Sequence, residues 1–255
     1  MFLVFAHASA LAFFGHATPV ALRSPNTRAL VEYEQLADTT DVQQFLQAST
    51  PLASQVLFLS PLKAMTQFRE AGTGDATALP YAAMVVNGAA WIGYGALTSP
   101  APDMTILLSN VGGVLFGLYY CLTFSRHMSA LSDAPRLFTG AVVIVGMLLA
   151  AVISLPAELA RDVLGYAGVG FSVLMFSGPL ASVQAILRDC SAKSLPIGFT
   201  IATVVNCALW CAYGMWVIDD PLVWGPNVAG LMASVTQIAL YGKFGENEDG
   251  CALYY

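Results

Sequence analysis

Apolar residues in this chain come in long blocks separated by short polar stretches. Seven such segments run near residues 45–65, 79–98, 104–125, 137–156, 161–187, 196–218 and 221–242. Blocks of about 20 residues are the length that crosses a hydrocarbon core as a helix. The period-two alternation of a membrane barrel is absent. The pattern predicts an all-α integral membrane protein with seven transmembrane helices. The links at 98–103 and 218–221 are too short for anything but antiparallel neighbours.

Residues 1–44 form an N-terminal extension with three readings. The apolar run from Phe2 to Phe14, followed by Gly15 and Ala17, suits a signal peptide. Arg23 and Arg28 among hydroxyl residues suit an organelle transit segment. An eighth membrane-associated helix is the third.

Composition supports the membrane reading. Of 255 residues, 57% are apolar and 10% charged, against about 25% charged in a soluble domain. The net charge of −6 lies in loops and tails, and no basic patch calls for nucleic acid. The five cysteines (Cys121, Cys190, Cys207, Cys211 and Cys251) include no CxxC, so neither a disulfide framework nor a zinc site is expected. His7, His16 and His127 lie outside the span centres. No catalytic residue, metal or cofactor is expected, and the chain is read as a non-enzyme.

Basic residues set the orientation. Lys63, Arg69, Arg126, Arg136, Arg188, Lys193 and Lys243 follow the odd-numbered spans, whereas Arg161 alone sits close to a span on the other side. The C-terminus is therefore expected in the cytoplasm and the N-terminus outside or in a lumen. A plasma-membrane location is expected, with an endomembrane or organelle as the alternative.

The chain also repeats itself. Asn87, Trp91, Tyr94 and Gly95 match Asn206, Trp210, Tyr213 and Gly214 (206 − 87 = 119). Asp103 and Asn110 match Asp220 and Asn227 (220 − 103 = 117). Leu57 to Pro61 matches Met175 to Pro179. An ordered series of uncommon residues at near-constant offset is an internal duplication. The fourth span has no counterpart, so two parallel three-helix repeats joined by a linker helix (3+1+3) are expected. The expected divisions are 1–44, a first repeat at 45–125, a loop and linker helix at 126–158, a second repeat at 159–243, and a tail at 244–255.

These motifs resemble the SWEET family of sugar transporters. The likeness rests on Leu59-Ser60-Pro61, Phe68-Arg69, Leu79-Pro80-Tyr81, Asn87-x3-Trp91-x2-Tyr94-Gly95, Phe176-x2-Pro179-Leu180, Leu195-Pro196, Asn206-x3-Trp210-x2-Tyr213-Gly214 and Asp220-Pro221-x5-Asn227. It covers about residues 50–243, and the N-terminal extension is longer than the family usually shows. The resemblance implies a bidirectional facilitative carrier (a uniporter) working by alternating access. It implies sugar contacts from Asn110 and Asn227 between Trp91 and Trp210, and an outer gate of Tyr94 and Asp220. It also implies a cytoplasmic proline tetrad of Pro61, Pro80, Pro179 and Pro196. Leu57, Asn87, Met175 and Asn206 stand at positions that tend to be smaller in sucrose-carrying branches, so hexoses such as glucose are expected.

Elementary chemistry agrees with parts of this. Pro80, Asn87, Trp91 and Tyr94 are spaced seven, four and three apart, one helix stripe. Amides both donate and accept, as sugar hydroxyls do, and an indole face suits a pyranose. The plainer alternatives are asparagines bridging helices, prolines starting helices, and an aspartate capping one. No ionisable residue lies near a span centre, which argues against ion coupling. A seven-span receptor shares the topology but needs no repeat, and a channel remains the other alternative. The expected partners are a small sugar and the lipid bilayer; a homo-oligomer is left open.

Overall fold

A computed structural model describes residues 25–193 and 195–245, with the backbone alone described for residues 25–38, Ser177 and Pro179. Residues 1–24 of the expected N-terminal extension (1–44) and residues 246–255 of the expected tail (244–255) lie outside the described residues. The elements are all helices: α1 Pro25–Phe58, α2 Leu62–Ala71, α3 Leu79–Ala96, α4 Met104–His127, α5 Ala134–Ser154, α6 Ala157–Asp189, α7 Ile197–Trp216 and α8 Pro221–Phe244. The chain divides into two units, Met1–Val42 and Gln43–Tyr255, and the second contains the repeat.

Six of the seven expected spans reappear with ends shifted by a few residues. The first, expected at 45–65, does not. Helix α1 begins at Pro25 and stops at Phe58, and α2 starts separately beyond Pro61. The early start has a simple cause: residues 28–38 are good helix formers without a breaker, but too polar to stand out as a span. The stop reflects Pro61, which has no N–H to continue the ladder. Ser60 and Leu62 instead bond back three residues, to Leu57 and Leu59. Its repeat partner behaves differently, because α6 is continuous through position 179.

Local signals set the other ends. Asp103 and Asp220 are N-caps, accepting from Ile106 N at 2.9 Å and Leu222 N at 3.0 Å. Pro80 and Pro221 stand in the first turns of α3 and α8, where a missing N–H costs nothing.

Within the halves, α3 packs along α4 and α7 along α8; between them, α3 lies against α6. Gly214 permits the close approach of α7 and α8, since a Cβ there would stand 2.9 Å from Trp224 N. Helix α5 rests mainly on α3.

Burial runs opposite to a water-soluble protein. Helix α5 exposes Val142, Val143, Met147, Leu149 and Ile153, while Ser54, Thr105, Ser109, Asn110, Asn206 and Gln237 are buried. Polar groups turned inward and apolar ones outward suit hydrocarbon as solvent. By length and composition alone, α4, α5, α6 and α7 are apolar enough to cross a membrane. The most apolar windows of α5 and α6 are each 6% buried, against 39% for α4 and α7. Helices α3 and α8 also turn polar groups inward, Asn87 and Tyr94 on one, Asn227 and Gln237 on the other. One cysteine departs from expectation: Cys190, just past α6, is disulfide-bonded.

Candidate functional site

A cavity of about 520 Å³ lies between the two halves, within the usual range for a small-molecule site. Leu57, Asn87, Trp91 and Asn110 line it from one half; Met175, Asn206, Trp210 and Asn227 line it from the other. The structure thus brings all eight residues singled out in the sequence around one space.

Their orientation comes from hydrogen bonds that repeat across the halves. Asn110 Nδ2 donates to the Ile106 carbonyl at 2.9 Å, and Asn227 Nδ2 to the Val223 carbonyl at 2.8 Å. Each amide is pinned to its own helix one turn back. The other pair is held from outside. Ser172 on α6 donates to Asn87 Oδ1 at 3.1 Å and accepts from Trp91 Nε1 at 3.3 Å. Ser54 on α1 donates to Asn206 Oδ1 at 3.0 Å and accepts from Trp210 Nε1 at 3.0 Å. The Thr50 carbonyl, 3.1 Å from Ser54 Oγ, is a second acceptor for that hydroxyl. Gly168 makes room for one indole, since a Cβ there would meet Trp91 Cε2 at 2.7 Å.

Beyond the cavity, at the end of the α3–α4 and α7–α8 links, two tyrosine–aspartate pairs cross between halves. Tyr94 on α3 donates to Asp220 Oδ2, at the start of α8. Tyr213 on α7 donates to Asp103 Oδ2, at the start of α4, at 2.7 Å. Each aspartate keeps Oδ1 for its helix cap and offers Oδ2 to the phenol. The first pair has a third member. Arg161 Nη2 donates to Asp220 Oδ2 at 2.9 Å and to the Tyr94 hydroxyl at 2.6 Å. Its guanidinium carbon also sits 4.7 Å from the Tyr94 ring centroid. The Tyr94 and Tyr213 rings pack edge-on against Trp91 and Trp210, with centroids 5.4 and 5.9 Å apart. None of the four residues in these pairs lines the cavity, which runs the other way, to the exposed Ser60, Thr77 and Pro80.

Of the four prolines, Pro61 and Pro80 line that open end. Pro196 caps the start of α7 without lining the cavity, and the side chain of Pro179 lies outside the described residues.

Sequence reasoning missed Ser54, Ser172, the role of Arg161 and the second latch. The serines follow the repeat, since 172 − 54 = 118 is the offset of Leu57 and Met175, 175 − 57 = 118. The second latch was within reach too, because both members of the first have counterparts at 119 and 117. Arg161 has no cation at the matching position, which is Gln43, so the repeat could not point to it.

Comparison with known proteins gives a consistent result. The family model described as "Sugar efflux transporter for intercellular exchange" matches residues 44–129 and 162–249. A relative named "Sugar transporter SWEET1" from Caenorhabditis elegans is 29% identical over 78% of this chain, which spans 65% of that protein. "Bidirectional sugar transporter SWEET2" from Arabidopsis thaliana is 27% identical over 75% of this chain and 82% of its own length. A solved eukaryotic SWEET transporter superposes with a TM-score of 0.69 at 24% identity, covering 79% of this chain and 98% of that one.

Proposed function

The chain belongs to the SWEET family of sugar transporters, a multi-pass membrane family of carriers and not of enzymes, and from that premise we propose that it is a hexose uniporter working by alternating access. The cavity carries the proposal. It lies between two matched sets of amides and indoles, is shut off beyond by crossed latches, and runs to exposed residues at the proline end. That is one half of an alternating cycle. The other half requires both latches to part while the proline end closes.

Asn110 and Asn227 are the first sugar contacts in this reading, Trp91 and Trp210 its walls, and Leu57, Met175, Asn87 and Asn206 its size filter. Tyr94 and Asp220 form the outer gate. Pro61, Pro80, Pro179 and Pro196 mark the cytoplasmic hinge region, where Pro61 separates two helices and Pro80 and Pro196 start others. The distribution of basic residues supports a cytoplasmic position for that end, and the cavity would then be inward-facing. The plasma membrane is the proposed location, and the repeats are taken as residues 45–125 and 159–243, with 126–158 linking them.

In liposomes holding the purified chain, labelled glucose should equilibrate without exceeding the outside concentration, and imposed proton or sodium gradients should leave its rate unchanged. Accumulation above equilibrium would overturn the uniport reading, and ion conductance without sugar flux would favour a channel.

A further inference from the structure

The four amides of the cavity do not offer the same atoms. Asn110 and Asn227 each commit an Nδ2 hydrogen to their own helix, at 2.9 and 2.8 Å. Asn87 and Asn206 have Oδ1 engaged instead, by Ser172 at 3.1 Å and Ser54 at 3.0 Å. The tryptophans dictate the direction of those serine bonds. An indole N–H only donates, so Ser172 accepts from Trp91 and Ser54 from Trp210. Each serine's own hydrogen then reaches the amide oxygen, that of Ser54 in competition with the Thr50 carbonyl at 3.1 Å.

The remaining amide atoms open onto the cavity. Among the described residues, the enclosed side-chain nitrogen and oxygen atoms without a partner are Thr73 Oγ1 and Arg161 Nε, and none belongs to these asparagines. Serine and amide always come from different halves: Ser172 is on α6 with Asn87 and Trp91 on α3, and Ser54 is on α1 with Asn206 and Trp210 on α7.

Resting on the sugar reading above, we infer that Ser54 and Ser172 are positioning residues that fix the polarity of the cavity. They hold Asn87 and Asn206 with the amide nitrogens toward the substrate, while Asn110 and Asn227 present amide oxygens. A substrate hydroxyl facing the nitrogens of the first pair is read as an acceptor, and one facing the oxygens of the second pair as a donor. A polyhydroxylated ring satisfies both. The same serines keep each indole fixed relative to the amide one turn away. Without the serine hydroxyl, an asparagine side chain can flip and offer either end, and the selection is lost.

Two readouts test this in the purified full chain. The first needs no sugar: proton–nitrogen spectra of the indole N–H groups in nanodiscs. Ser172→Ala should shift the Trp91 signal and Ser54→Ala the Trp210 signal, each leaving the other in place. Unmoved signals overturn the bridge. The second is transport. Each alanine variant should raise the KM for glucose about tenfold with Vmax within about twofold, and Ser54→Thr and Ser172→Thr should restore it. Singly deoxygenated and singly fluorinated glucoses sharpen the reading, because fluorine accepts weakly and cannot donate. The native chain should keep at least one fluoro analogue whose deoxy counterpart is lost, and the alanine variants should close that gap. A native KM with unchanged analogue ranking in both alanine variants overturns the inference. If an alanine variant fails to reach the membrane fraction, Ser54→Cys and Ser172→Cys carry the same readings. A native chain that moves no glucose defeats the sugar reading, while the indole spectra still decide the bridge.

Discussion

The two latches between the halves are built alike and held unequally. Tyr94 and Tyr213 each end an Asn-x3-Trp-x2-Tyr stripe, and each reaches an aspartate that starts a helix of the opposite half. Only Asp220 also meets a cation, at 2.9 Å from Arg161. Position 43, where the repeat would place a second cation, is glutamine. Arg161 and Asp220 have side-chain exposures of 33% and 12%, so solvent screening reduces the pair to the modest worth of surface ion pairs, about 1 kcal/mol. Even that is several-fold in a two-state balance. Duplication supplied the geometry twice, and one added side chain makes the closed state depend more on one latch than on the other.

The sharpest way to break the symmetry is at the amides. Asn110→Ala and Asn227→Ala should each reduce glucose uptake to background while the protein still reaches the membrane. If one variant transports normally, the halves do not share the substrate equally. A smaller effect is expected at the latches. Arg161→Gln should raise the population open at the latch end about fivefold, and Tyr213→Phe about threefold. Spin-label distances between Thr98 and Asp219 would report both. No shift in Arg161→Gln would mean that Arg161 adds nothing.

The size filter should respond less. Leu57→Val, Asn87→Ser, Met175→Val and Asn206→Ser together should admit sucrose at a few-fold above background, whereas the native chain should exclude it by clash. Paired glucose and sucrose uptake decides this, and native sucrose transport equal to glucose would defeat it. The smallest effects concern two glycines. Gly168→Ala pushes a Cβ into the Trp91 ring and should cost about 1–3 kcal/mol of stability. Gly146→Ala, with nothing within 4 Å of its Cβ, should be neutral or gain about 0.5–1 kcal/mol. Melting curves in detergent compare them directly.

The spans, the repeat and the lining of the cavity were legible because hydropathy and rare-residue spacing are local records of burial and symmetry. The break at Pro61 against the continuous helix through position 179 was not, because matched prolines look identical in sequence while their neighbours decide whether the helix restarts. The serine bridges escaped notice for a different reason. A serine in an apolar span is common and most often bonds its own helix, as Ser109 and Ser234 do here. Only the three-dimensional meeting of α1 with α7 and of α3 with α6 reveals that Ser54 and Ser172 bond across.

The two oxygens of each latch aspartate have separate occupations. In Asp103 and Asp220, Oδ1 holds the first turn of a helix and Oδ2 holds a phenol from across the cleft. When the latch parts, the carboxylate has no reason to swing away, since its cap stays made; the tyrosine leaves a stationary anchor. The vacated oxygen takes water, so opening does not unravel the helix behind it. The arrangement also separates two kinds of inherited change. An asparagine at either position can keep the cap through its carbonyl, so the fold survives, but its amide cannot accept the phenol's hydrogen. Drift from Asp to Asn would therefore be silent to folding and audible only in the strength of the contact between the halves.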